Sequence, residues 1–177
     1  MNTNIVGLIG ELQACTIFDR SKANLELQYI SCFPIQDEKG AFFQVDTLVI
    51  CTKGIFCIEV KNWEAQIHCS SQYYWDVQYA SGSYHVHSPV DQNYQHCRKF
   101  EAVCKQAVNS IILFTDSATL FEPPQNVMYV SDFIPYLAGL PTVLNSEEIS
   151  KLYDASVKYK QSAEVAMITR FIFKNLS

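Results

Sequence analysis

The sequence has 177 residues, with 13 Lys and Arg against 18 Asp and Glu, for a formal charge of −5. That length closes a hydrophobic core without staples, and a chain that is 49% apolar and 18% charged is not a disordered or collagen-like protein. An acidic chain is a poor electrostatic coat for nucleic acid, but acidity is compatible with an enzyme whose carboxylates hold metal ions.

Ile5, Leu8, Ile9, Leu12 and Cys15 recur at helical spacing and predict an amphipathic helix over residues 4–18. Residues 25–33 have the content of a strand that stops at Pro34, and 36–40 form a polar loop. Residues 42–51 and 55–61 are two further strands joined by a turn at 52–54. Consecutive strands of this kind are expected to form an antiparallel meander. Residues 65–87, rich in Tyr, Trp, Gln and Ser with a turn at Ala80-Ser81-Gly82, read as extra hairpin structure.

Pro89 suits the first turn of a helix expected to run to about Val108, which delivers a buried strand at 110–115 parallel to the sheet. Beyond Pro123-Pro124 a short strand is expected at 127–130. A helix capped near Asn145 or Ser146, with Glu147 and Glu148 in its first turn, follows, and 162–173 is helical too. With no repeat and no long linker, residues 1–177 are taken as a single α/β domain of order αβββαβ, with 116–177 as a C-terminal strand and helical addition.

No apolar run approaches the roughly 18 residues of a membrane span, and the start Met1-Asn2-Thr3-Asn4 has neither the basic nor the apolar part of a signal peptide. The expected location is cytoplasmic, away from membranes. Seven scattered cysteines without a C-x-x-C pair read as reduced core residues.

The two central strands are apolar on both faces, as in the middle of a sheet, so their polar residues stand out. Asp46 sits among Val45, Leu48 and Val49; Glu59 sits between Ile58 and Val60, with Lys61 on the same face. If the loop is Thr52-Lys53, Cys51 pairs with Gly54 and Asp46 faces Glu59. If it is Lys53-Gly54, Asp46 faces Lys61 with Glu59 diagonal to it. Opposed carboxylates in a buried sheet cost roughly several kcal/mol in repulsion and lost hydration. A Mg²⁺ or Mn²⁺ ion compensates, and a neighbouring lysine can hold the attacking water or steady developing charge. A buried Asp–Lys–Glu cluster serving only structure is the alternative.

Asp46 followed after a turn by Glu59-Val60-Lys61 resembles the D…E-x-K signature of the PD-(D/E)xK, or restriction-endonuclease-like, superfamily. Within it the chain is most similar to the nuclease-related domain (NERD) family. Four blocks carry the likeness: Gly10-Glu11, Gln44-Val45-Asp46, residues 54–62, and Ser88-Pro89-Val90-Asp91-Gln92-Asn93. It spans roughly residues 5–115 and implies a restriction-endonuclease-like core, a mixed central sheet flanked by helices. It also implies Asp46 and Glu59 as metal ligands with the main-chain carbonyl of Val60, Lys61 as the catalytic lysine, and Glu11 as an acidic residue that binds or orients metal. Gln92 matches a helix glutamine that reaches toward the lysine or the water; Asn62 and Asn93 belong to the motif without a separate role. Ala65 stands where glycine is expected and Thr47 where histidine is frequent.

The function so implied is Mg²⁺- or Mn²⁺-dependent hydrolysis of DNA, with a non-catalytic module that docks nucleic acid or protein as the alternative. A homodimer is compatible with either. His85, His87, His96 and Cys97 lack the spacing of a zinc site. Tyr73, Tyr74, Trp75, Tyr79 and Tyr84 are residues that stack on bases in other settings, but the expectation is that they pack a hairpin against the core. Arg98, Lys99 and Lys105 on the second helix either meet phosphates or form a solvated face.

Overall fold

The computed structural model describes the backbone of residues 3–36 and 39–176 and the side chains of 6–36 and 39–167. Residues 37 and 38 of the expected polar loop lie outside the described residues. Among the described residues no helix is long and apolar enough to cross a membrane.

Helix α1 (Thr3–Leu25) runs further than the predicted 4–18 and ends at Glu26, whose φ of +48° is the left-handed turn that lets Leu27 N–H reach Lys22 O at 3.1 Å. Its buried stripe is not the expected one. Leu8, Ile9 and Leu12 are exposed, and the core face is Gly10, Ala14, Phe18, Ser21 and Leu25. Small residues on that stripe bring the helix axis close to the sheet, and this outweighs the larger apolar side chains on the other face.

Strands β1 (Gln28–Gln36), β2 (Phe42–Cys51) and β3 (Gly54–Lys61) form the expected meander. β1 continues past Pro34, which pairs with Gln44, because an edge strand tolerates a missing N–H. Three strands follow, β4 (Gln66–His68), β5 (Tyr74–Tyr79) and β6 (Gly82–His87), and then helix α2 (Pro89–Cys104). The Ser88 hydroxyl caps α2 by accepting from Val90 N–H, and Lys105 at φ +58° ends it short of Val108. β7 (Val108–Phe114) lies parallel to β3, and β8 (Thr119–Phe121) and β9 (Val127–Tyr129) come next. A 3-10 turn leads into a further helix, α3 (Phe133–Gly139), and a single helix α4 (Ser146–Leu176) replaces the two helical segments expected there.

The strands form two mixed sheets, one of order β1-β2-β3-β7-β9 and one of order β6-β5-β4-β8. α1 and α3 cover one face of the larger sheet, where Phe18 and Phe133 meet Val49, Phe56, Ile58 and Leu113. α2 and α4 cover the other, where Cys97, Phe100 and Ile149 meet Leu48, Ile55 and Cys57. The smaller sheet, where extra hairpin structure is expected from the sequence, gains β8 as a partner and shares a core of Ile67, Trp75 and Val77 with Ile112 and Phe114 of β7.

Candidate active site

The β2–β3 turn is Thr52-Lys53, with Cys51 paired to Gly54, which selects the first of the two registers. Gly54 has φ +122°, a conformation L side chains rarely adopt, so the residue after the turn is glycine for backbone reasons. The ladder runs back to Thr47–Ile58 and there gives way to a side chain: Val60 N–H donates to Asp46 Oδ2 at 2.8 Å.

The cause lies in β1 and β2. Ile30 and Leu48 face the α2 side, and so do Phe33 and Val45, an odd number of steps along each strand. Alternation is therefore broken between them, at Cys32, with φ +50°, and the facing Asp46. Beside this break the Asp46 carboxylate lies against β3, where it accepts from Val60 N–H.

Glu11, Asp46, Glu59, Val60 and Lys61 line one cleft of about 800 Å³, with Asn62, Trp63, Glu64 and the β5–β6 turn Tyr79, Ala80 and Ser81 on its walls. Glu59 is buried and its Oε1 accepts from the Lys61 ammonium. The N–H and C=O of one strand residue point to the same edge, so the Val60 carbonyl faces the side of its N–H bond to Asp46, while the Lys61 carbonyl accepts from Thr115 N–H at 3.1 Å on the opposite edge.

Four carboxylates, Glu11, Asp46, Glu59 and Glu64, line this cleft with one lysine. Burial, and then the charge of Glu59, pushes the Asp46 carboxyl up to about 7, and the same two causes raise Glu11. This excess of negative charge among hard oxygen donors suits a divalent cation of the Mg²⁺ type. Among the described residues no three His, Cys, Asp or Glu side chains stand close enough to enclose an ion. Two carboxylates, a carbonyl and waters would therefore make the shell, as Mg²⁺ prefers.

The other motif residues separate. Gln92 is exposed on α2 and does not line the cleft, whereas its neighbour Asn93 is fully buried. Asn93 Nδ2 lies 2.9 Å from Cys57 O, 3.0 Å from Ser110 Oγ and 3.2 Å from Ile111 O, tying α2 to β3 and β7. Asn62 anchors α1, donating to Val6 O at 2.8 Å while its Oδ1 accepts from Thr115 at 2.6 Å. His96 is buried on α2; desolvation lowers its imidazole pKa while the charge of Glu59 opposes this. The walls contributed by the β5–β6 turn carried no signal in the sequence beyond the turn residues themselves.

The family model of the nuclease-related domain matches residues 6–115. A search of curated proteins and a search of solved structures found no match.

Proposed function

Because the chain belongs to the nuclease-related domain family, we propose that it is a nuclease that hydrolyses phosphodiester bonds in DNA with Mg²⁺ or Mn²⁺. The observation that carries this reading is the meeting of Asp46 and Glu59, from two strands, in one cleft beside Lys61. In it Asp46, Glu59 and the Val60 carbonyl would hold the cation, and Glu11 would orient water beside them. The cation, when bound, supplies positive charge against the phosphate as negative charge grows in the transition state. Lys61, already drawn to the spot by Glu59, would hold the attacking water and steady the negative charge that grows on the phosphate, while the water's proton leaves to solvent. α1 and the β5–β6 turn wall the cleft. Gln92 has no part in this scheme, since its side chain lies outside the cleft.

Asp46→Ala or Lys61→Ala is expected to abolish cleavage of DNA while the far-ultraviolet dichroism stays that of the wild type. Full cleavage by both variants sinks the proposal. Mn²⁺ binding, seen as a thermal shift, without cleavage of single-stranded, double-stranded or branched DNA supports a docking module instead.

A further inference from the structure

Helix α4 grips the edge strand β1 on both sides of the break at Cys32. Lys160 Nζ donates to Ser31 O at 2.7 Å, and the hydroxyl of the neighbouring Tyr159 accepts from Gln36 N–H at 2.9 Å. Ser31 and Gln36 are an odd number of steps apart, and such backbone groups point to opposite edges of a regular strand; here one helix meets both, with the left-handed Cys32 between them. The Tyr159 ring also stacks on Phe33, the residue after the break, with centroids 5.7 Å apart and planes 27° apart. α1, which covers the opposite face of the sheet, reaches the same place, where Cys15 Sγ lies 3.5 Å from Ser31 Oγ.

Asp46 stands directly across from this break. The register sets it opposite Cys32, between the pairs Ser31–Thr47 and Phe33–Val45, and its carboxylate accepts from Val60 N–H of β3. The Cys32 thiol, raised first by burial, feels the charges of Glu11, Lys160 and Asp46, so these three side chains gather around one point of β1. A left-handed φ at a residue that is not glycine persists only where its surroundings hold it there. Surface pairing does not account for Lys160. Its side chain is only 24% exposed, and Glu164, its carboxylate neighbour, is 3.6 Å away and half exposed, a pair that contributes little. The Ser31 carbonyl is the nearer partner, and a charged donor makes that the stronger bond.

We propose that Lys160 is a positioning residue for the candidate metal site: by fixing Ser31 it holds the Cys32 break, and so keeps the facing Asp46 carboxylate against β3, where it can share a cation with Glu59. The inference rests on the reading of Asp46 as a metal ligand. It gives the C-terminal helix, which lies beyond the residues 6–115 matched by the family model, a part in the site. Groups that orient metal ligands without touching the ion control its affinity nearly as strongly as the ligands do.

The test is native-state amide hydrogen exchange of the full chain in EDTA. It is read at Val60 N–H, whose acceptor is Asp46, and at Thr115 N–H, which binds Lys61 O on the opposite edge of β3. Lys160→Met should speed exchange at Val60 about tenfold or more and leave Thr115 within about twofold of wild type. Mn²⁺ affinity, measured by titration calorimetry, should fall about tenfold in the same variant. Lys160→Arg, which keeps a charged donor, should restore both, and Lys151→Met, from an exposed pair with Glu147, should change neither. Unchanged exchange at Val60, unchanged Mn²⁺ affinity, or equal acceleration at Val60 and Thr115 in Lys160→Met overturns the positioning role. DNA cleavage that needs Asp46 yet runs at the wild-type rate in Lys160→Met leaves the nuclease and removes the positioning. The expected losses at Val60 and in Mn²⁺ affinity, in a protein that never cuts DNA, leave the positioning and remove the nuclease.

Discussion

Gly10 of α1 lies directly against Asn62, the residue after Lys61: a Cβ built at Gly10 would sit 3.0 Å from Asn62 Cβ and 3.4 Å from side-chain carbons of Thr115 and Val60. Asn62 Cβ is fixed to the end of β3, so it cannot swing away. The close approach brings the adjacent Glu11 into the cleft, which explains why a glycine precedes it. Gly10→Ala should gain about 1 kcal/mol of helix propensity but lose roughly 1–3 kcal/mol to overpacking, for a net loss in urea unfolding. Gly7, three residues earlier with nothing within 4 Å of its Cβ position, is the control. Gly7→Ala should stabilise by about 1 kcal/mol. Stabilisation of both variants alike would show that α1 is not pressed onto β3 at Gly10.

The raised carboxyl of Asp46 makes a prediction about acidity. Its folded value of about 7 lies above the roughly 3.9 of an unfolded aspartate, so the folded state binds the proton more tightly. That contribution is complete below about pH 4 and is lost as pH rises through about 7. Without metal, the melting temperature should therefore fall between pH 5.5 and 8, and Asp46→Asn should flatten this part of the profile. Mn²⁺ should act in the opposite direction, stabilising more at pH 8 than at pH 5.5, because it needs the carboxylates ionised. Identical metal-free profiles for wild type and Asp46→Asn would remove Asp46 as the source.

Asn93 should matter more to stability than its neighbour in the motif. Its buried amide bridges a helix to the carbonyls of two strands, so Asn93→Ala leaves Cys57 O and Ile111 O without that donor. A loss of roughly 2–4 kcal/mol in urea unfolding is expected from one such group and the space it filled. Gln92→Ala, at an exposed position, should change stability by less than about 0.5 kcal/mol. Equal effects at the two positions would contradict this division.

The meander was legible in the sequence because β-strand periodicity and a short turn leave few registers, and both even loops kept Asp46 and Glu59 on one side. What the strands alone did not reveal is the twist at Cys32, since left-handed φ at a non-glycine residue has no composition signal. The face of α1 was misread for a physical reason: Leu8, Ile9 and Leu12 are the larger apolar groups, but close packing on β3 selects Gly10 and Ala14. The roles of Gln92 and Asn93 depend on a rotation of about 100° about one helix axis, which a motif match does not specify. β8 escaped notice because three residues are too few to show periodicity, although they complete the second sheet.

Lys61 and a divalent cation should substitute for one another in stability but not in catalysis. The Lys61 ammonium pairs with the buried Glu59 carboxylate, so Lys61→Met leaves a buried charge uncompensated, a change that costs on the order of 3 kcal/mol in comparable pairs. By contrast the exposed Lys22–Asp19 pair should contribute almost nothing. Glu59 then has only a cation in the cleft to restore balance. The thermal shift produced by saturating Mn²⁺ should accordingly be larger in Lys61→Met than in wild type, while DNA cleavage stays abolished at every metal concentration. Glu59→Gln, which removes the charge itself, should show a smaller shift than either. A Lys61→Met protein that melts like wild type without metal, and shifts no further with it, would mean that Lys61 and the ion do not share Glu59.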